Sequence, residues 1–326
     1  MSSSGRLGTT ALVVSWVFAG LATTVVATRY YVRLKMIRRF TIDDALIFLA
    51  LALEITNSVF LTISAHWGLG AHMDELSKYQ VMYTMKWVYL GGFFSILSPC
   101  VGRIAYASLL LSLLPPIPWR SRLLWTMIWV QFVVDIGAVI IISFRCRSIK
   151  MNWDPSVFGQ CWSPIVQQSA GYIHGSVCCA VDLVLAFFPA SMFWNLNMEW
   201  KRKLSLSCLM GLGIFAMVVS VVRTVQLKAI GSDLTYDMAN LSIWWTLEAY
   251  LVILAASIPT LRPILPSSLS RTPDNGARLG HPIHLFRFRR GHSGAVEGMD
   301  EHRPLNNENG SQPRWHRMAF SSLHGS

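Results

Sequence analysis

The sequence predicts an all-α polytopic membrane protein: a seven-transmembrane helix bundle with its N-terminus outside and its C-terminus in the cytosol. Three observations predict it. Seven apolar stretches of roughly the length that crosses a bilayer, about 20 residues, are each bracketed by polar or charged residues. Of the 326 residues, 53% are hydrophobic and only 14% charged, where a soluble domain carries about 25% charged. Lysine and arginine fall unevenly among the connections, as the positive-inside rule demands of an oriented bundle. The apolar runs are continuous rather than alternating, which selects helices over strands.

The first span covers 10–28. Ala11 to Thr28 holds 18 residues without a charge, and a basic cluster follows at once, so it reads as a retained span rather than a cleaved leader. The remaining spans fall at 45–65, 87–114, 123–144, 171–194, 204–227 and 243–262. The third is the longest and contains Pro99, which predicts a tilt or a kink. The domain plan is therefore a short outer N-terminus (1–9), a membrane domain (10–265) and a disordered cytosolic tail (266–326). In that tail apolar density falls while Pro, Ser, Asn and Gly accumulate. Its Leu285-Phe286-Arg287-Phe288-Arg289-Arg290 run is either a solvated basic segment or a contact with anionic lipid. No internal repeat is detectable.

Orientation follows from the basic residues. One side carries Arg29, Arg33, Lys35, Arg38 and Arg39, then Arg120 and Arg122, then Lys201, Arg202 and Lys203, ten in all, and eight tail arginines follow Arg262. The other side carries seven: Arg6, Lys78, Lys86, Arg145, Arg147, Lys150 and Lys228. The bias places the tail in the cytosol. The net charge of +11 thus reads as an orientation signal, which excludes a nucleic-acid partner. Trp67, Trp87, Trp153, Trp162, Trp244 and Trp245 near the outer boundary, and Trp119, Trp125, Trp194 and Trp200 near the inner one, form aromatic belts.

Six ionisable residues lie inside the spans: Glu54, Arg103, Asp135, Asp182, Arg223 and Glu248. Each costs about 3 kcal/mol at mid-membrane if left uncompensated, so they should face inward and meet partners. Depth counting places Glu54, Asp135 and Asp182 with Arg103 near the middle, and Arg223 with Glu248 nearer the outer end. The expectation is a central polar cluster around Arg103 and an Arg223–Glu248 contact. Two readings stay open: the wall of a ligand pocket or ion path, and a buried network that fixes helix register. Gly91, Ser95, Ser98 and Gly102 put small residues on one face of span three, which lets a neighbouring helix approach closely.

The six cysteines form no cysteine-rich module and no zinc-like spacing. No metal set, nucleophile triad or phosphate loop is present in the sequence pattern, so neither cofactor nor metal is expected. Only Cys146 and Cys161 share a polar loop, on the side where oxidation is permitted; they form a disulfide there or stay as two free thiols. Asn240-Leu241-Ser242 is an outer glycosylation sequon close to span seven, whereas Asn309-Gly310-Ser311 lies on the cytosolic side.

Taken in order, several short motifs resemble the fungal rhodopsin-domain family of seven-span membrane proteins. That family includes the membrane part of fungal CFEM-type receptors and the satratoxin-cluster membrane protein. The matching pieces are Arg29-Tyr30-Tyr31-Val32-Arg33 with Asp43-Asp44, Gly68-Leu69-Gly70-Ala71-His72, and Gly102-Arg103-Ile104. Cys146 with Trp153 and Cys161 follows, then Asp182 with Pro189 and Trp194, Asp233-Leu234-Thr235-Tyr236, Trp244 with Glu248, and Pro259-Thr260-Leu261-Arg262-Pro263. Together they cover roughly 10–265. At position 103 the family more often has lysine, and residues 1–9 contain no cysteine for a CFEM module. The resemblance does not imply light sensing, because Ile243 to Arg262 contains no lysine to bind retinal. Span three ends Ser112-Leu113-Leu114-Pro115, without an acidic-Arg-Tyr switch, and span seven has no Asn-Pro-x-x-Tyr.

The resulting expectation is a receptor-like protein of the plasma membrane, or of an endomembrane, that senses a small ligand between its outer helix ends. The candidate ligand residues are His72, Asp182, Arg223 and Glu248, with Trp244 and Trp245 at the rim. Lipid surrounds the bundle, and a cytosolic signalling partner would meet the inner loops and tail. The alternative, implied by the resemblance, is an accessory protein or enzyme of a secondary-metabolite gene cluster, with embedded acids protonating a lipophilic substrate. A transporter ranks third, since no inverted repeat is detectable.

Overall fold

Each apolar run forms one long helix in the computed structural model, which describes residues 3–37, 41–113, 118–154, 157, 159–193, 200–227 and 233–261. These helices are α1 (Ser3–Val32), α2 (Ile42–Trp67), α3 (Lys78–Leu113), α4 (Pro118–Phe144), α5 (Pro164–Phe193), α6 (Trp200–Gln226) and α7 (Leu234–Leu261). Six are long and apolar enough to cross a membrane. The other, α6, has 27 residues, about 40 Å of helix at 1.5 Å per residue, and carries a shorter apolar stretch, Met210–Gln226. The chain is a multi-pass membrane protein. Helices overrun the apolar runs because backbone groups near lipid must be satisfied within the segment.

The chain divides into a helical unit, Met1–Thr272, and a segment Pro273–Ser326. That segment, with its Leu285–Arg290 run and Asn309, lies outside the described residues. So do Arg38, Arg39, Trp194 and Lys228, and the side chains of Lys201, Arg202 and Lys203.

Local chemistry explains the turns. Asp44, three residues into α2 from Thr41, accepts a hydrogen bond from the Thr41 backbone N–H at 3.2 Å and so closes the helix start. Gly68 ends α2 at φ 118° and Gly70 follows at φ 89°, a left-handed backbone that only glycine adopts without strain. A Cβ on Gly70 would also lie 2.5 Å from the Gly8 backbone nitrogen, so this motif lets the connection press against α1. Between α4 and α5, Cys146 and Cys161 are joined in a disulfide. The loop it closes is tied down by Arg145, which donates to Asn152 at 3.1 Å. Burial lowers the pKa of this guanidinium, partly offset by Tyr89.

The core sits around α7. Every residue from Glu248 to Ser257 is buried, and Ala22, Ile47, Ala105, Tyr106, Val181, Tyr250 and Ile253 join one apolar cluster. By contrast, α4 buries only Leu124, Gln131 and Asp135 among its residues, and presents Trp125, Trp129 and Val133 outward. Two of the three fully buried residues of α4 are therefore polar, and Leu123, Met127 and Ile128 pack against the core from a half-buried position.

Arg29 and Arg33, counted as loop charges, are 0% and 8% exposed. Because α1 continues to Val32, both lie near its end, facing the start of α2. Arg29 donates to Asp44 Oδ1 at 3.0 Å, to the Ala256 carbonyl at 2.9 Å and to Thr260 Oγ1 at 2.9 Å, while Arg33 lies 3.4 Å from the same carboxylate. Ser108 of α3 donates to Asp43 at 2.6 Å. This clasp joins α1, α2, α3 and α7 at the end opposite the disulfide, and it gives the arginines and paired aspartates of this stretch a structural role.

Candidate functional site

Helical periodicity builds the polar centre of the bundle. His174, Cys178 and Asp182 are spaced by four along α5 and so share one face, as do Gln131 and Asp135 on α4. Arg103 enters from α3, Ser220 and Arg223 from α6, and Glu248 from α7.

The side chains form one continuous network across these five helices. Arg103 grips Asp182 with two hydrogen bonds, Nε to Oδ1 at 2.8 Å and Nη2 to Oδ2 at 2.9 Å. The same Nη2 donates to Glu248 Oε1 at 2.5 Å. The other oxygen of Glu248 faces Arg223 Nη1 at 2.7 Å, an ionic contact rather than a directed hydrogen bond. Arg223 Nη2 then reaches His174 Nδ1 at 3.2 Å, and His174 Nε2 lies 2.7 Å from Asp135 Oδ1. Ser220 donates to Asp182 at 3.2 Å, and Gln131 donates to Asp135. Arg103 and Glu248 are 2% and 0% exposed, so these pairs lie in a low-dielectric interior where removing one partner strands the other. The planar fork of arginine is what allows the double grip on Asp182 together with a third bond to Glu248; lysine, a point donor, lacks that geometry.

Glu54 stands apart from this network, whereas the sequence grouped it with Arg103 and Asp135. It is fully buried on α2, accepts from Asn57 at 3.0 Å through Oε1, and among the described residues its Oε2 has no hydrogen bond and no cation pairs with it. The reason is azimuthal: hydropathy gives depth but not the direction a helix faces. A cavity of about 10 Å³, room for the centre of one water, is lined by Asn57, Trp87, Gly91, Ser95, Trp245 and Thr246. Trp87 Nε1 and Ser95 Oγ beside it have no hydrogen-bond partner among the described residues. A second cavity of about 20 Å³ adjoins Arg103, Tyr106, Asp182 and Gly213. Both are water-sized.

Of the six candidate ligand residues, Asp182, Arg223 and Glu248 come together. His72 does not join them: it sits at the rim, 3.4 Å from Asp233 and stacked on Tyr236, holding the α2–α3 connection against the start of α7. The two tryptophans part company, Trp245 bordering the cavity and Trp244 packing on Ala216 and Val219. The sequence reading missed His174, Gln131 and Ser220. The spacing of His174, Cys178 and Asp182 was the available signal.

The sequence model of the fungal rhodopsin domain matches residues 28–267. The chain is 28% identical over 141 residues to Fugralins biosynthesis cluster protein 2 of Gibberella zeae, covering 42% of this chain and 34% of that protein. It is 27% identical over 140 residues to a SAT4 family membrane protein of Emericella nidulans, covering 41% and 33%. The chain thus spans about a third of the length of these curated relatives. No solved structure matches it.

Proposed function

The chain belongs to the fungal rhodopsin domain family, and on that premise we propose that it is a receptor-like membrane protein that senses a small carboxylate-bearing ligand and not light. The observation that supports this reading is Glu248 held between two guanidinium groups, Arg103 at 2.5 Å and Arg223 at 2.7 Å. Its carboxylate fills a two-arginine cleft that suits an incoming anion. A ligand carboxylate that displaced it would release α7 from α3 and α6, giving the two packed states that a switch requires. Asp182 would anchor a polar group of the ligand, with Trp245, Trp244 and His72 toward the rim.

In this reading residues 1–9 lie outside, 10–265 cross the plasma membrane and 266–326 form a cytosolic tail. The disulfide then faces the oxidising side, and Arg120, Arg122 and the tail arginines face a signalling partner. Glycosylation of Asn240, half-buried in the second turn of α7, would report passage through the secretory route.

The test is thermal unfolding of the full chain in lipid nanodiscs with a panel of fatty and aromatic carboxylates and their methyl esters. Saturation at 100 times Kd adds about 2.7 kcal/mol. An acid should stabilise the wild type, its ester should not, and Arg223→Gln should abolish the effect. No stabilisation by any acid, or the same response in Arg223→Gln, refutes the assignment.

The relative named for a biosynthesis cluster favours a second reading, an accessory protein or enzyme of secondary metabolism that protonates a lipophilic substrate. Asp182 is poorly suited to that role because both of its oxygens accept hydrogen bonds from Arg103. Glu54, with one unbonded oxygen and a bond to cavity-lining Asn57, is better placed. Deletion of the gene should then abolish a product that wild type restores and Glu54→Gln does not; restoration by Glu54→Gln removes this reading.

A further inference from the structure

We propose that Asp135, His174 and Cys178 form a zinc site, with the amide of Gln131 as its fourth ligand. Their ligand atoms, one oxygen, one nitrogen and one sulfur, all lie within 4.8 Å of one another. Cys178 Sγ is 3.7 Å from His174 Nε2, and Asp135 Oδ1 is 2.7 Å from the same nitrogen. Tetrahedral zinc with bonds of about 2.0 Å to N and O and about 2.3 Å to S needs separations of about 3.6 Å and 3.3 Å respectively. The sulfur–nitrogen distance already fits. The oxygen–nitrogen distance must open by roughly half an ångström as the metal replaces the hydrogen bond.

Gln131 supplies an independent observation. It is 1% exposed, its Nε2 reaches both Asp135 and Cys178, and its Oε1 has no hydrogen-bond partner among the described residues. Rotation of the amide by half a turn exchanges the two atoms and aims the orphaned oxygen at the cluster. A mixed O, N, S set suits zinc, a borderline-soft ion, better than magnesium or calcium.

Charge points the same way. Two arginines, Arg103 and Arg223, face three carboxylates, Asp135, Asp182 and Glu248, so among the described residues the arginines and carboxylates of the network sum to one negative charge before His174 is counted. Nε2 faces the Asp135 carboxylate and Nδ1 faces the Arg223 guanidinium, and a metal takes the imidazole in its neutral form. A zinc ion carrying +2, with Cys178 bound as its thiolate after loss of the thiol proton to solvent, brings the sum to zero. On loading, any proton on Nε2 is lost from that nitrogen, Nδ1 carries the one proton of the neutral ring, and Arg223 gives up its 3.2 Å contact while keeping the 2.7 Å contact to Glu248. His174, 12% exposed, is the least buried of the three ligands.

The experiment is cobalt titration of chelator-stripped, full-length protein in detergent, read by absorbance. One equivalent of Co²⁺ should produce a thiolate-to-cobalt band in the wild type and in the Cys179→Ser control. The band should vanish in Cys178→Ser, and His174→Gln should weaken binding at least tenfold, with gel filtration and circular dichroism unchanged. A wild-type protein that takes up no cobalt, or a Cys178→Ser protein with the wild-type spectrum, overturns the site.

Discussion

Replacing Glu248 by glutamine keeps the shape of the side chain and removes one negative charge from between two buried cations. Arg103 retains its two hydrogen bonds to Asp182, so the change falls mainly on Arg223, which is left with His174 at 3.2 Å. Stranding one member of a buried pair costs about 3–5 kcal/mol. At roughly 2–4 °C per kcal/mol for a domain of this size, Glu248→Gln should lower the unfolding temperature by about 10 °C in detergent. The double variant Arg223→Leu with Glu248→Leu removes both charges and should recover much of that loss, because apolar replacement of a whole pair is often close to neutral. The coupling between the two sites should exceed about 1 kcal/mol. If Glu248→Gln unfolds within about 2 °C of the wild type, or the double variant is as unstable as the sum of its singles, Glu248 does not clamp Arg223.

Three further outcomes follow from named contacts. Arg103→Lys keeps the charge but cannot grip Asp182 with two parallel bonds, so thermal unfolding should show a loss of about 1–3 kcal/mol, the size of a charge-assisted hydrogen bond. Arg29→Ala removes the clasp of α1 on Asp44, Ala256 and Thr260 and should cost about 3–5 kcal/mol, visible as lower protein yield and unfolding temperature. Reduction of the Cys146–Cys161 disulfide, which spans 15 residues, should cost about 3 kcal/mol and increase protease cleavage between α4 and α5, with Cys146→Ser reproducing the effect.

Apolar length and loop charge made the helices legible, because the bilayer constrains both directly. They also fixed the depth at which ionisable residues sit, so the meeting of Arg223 with Glu248 and of Arg103 with Asp182 could be anticipated. Direction around each helix was not legible, and Glu54 was grouped with a cluster it does not join. Arg29 was misjudged for a related reason: its apolar run ends before its helix does, so a buried clasp looked like an orientation signal. With Arg29 and Arg33 buried, the expected inner side keeps eight loop charges against seven on the other, and the proposal of a cytosolic C-terminus leans on the tail arginines. His174 carried a signal in its spacing from Cys178 and Asp182, but a histidine in an apolar run attracts less notice than a carboxylate.

The central claim is that Glu248 occupies a cleft made for a carboxylate. Its most direct test is chemical rescue: thermal unfolding of Glu248→Ala with and without acetate or propionate. The small carboxylate should restore several degrees of stability to Glu248→Ala, chloride should not, and neither the wild type nor the double variant Glu248→Ala with Arg223→Leu should respond. Equal effects of acetate and chloride on Glu248→Ala, or none, would contradict it.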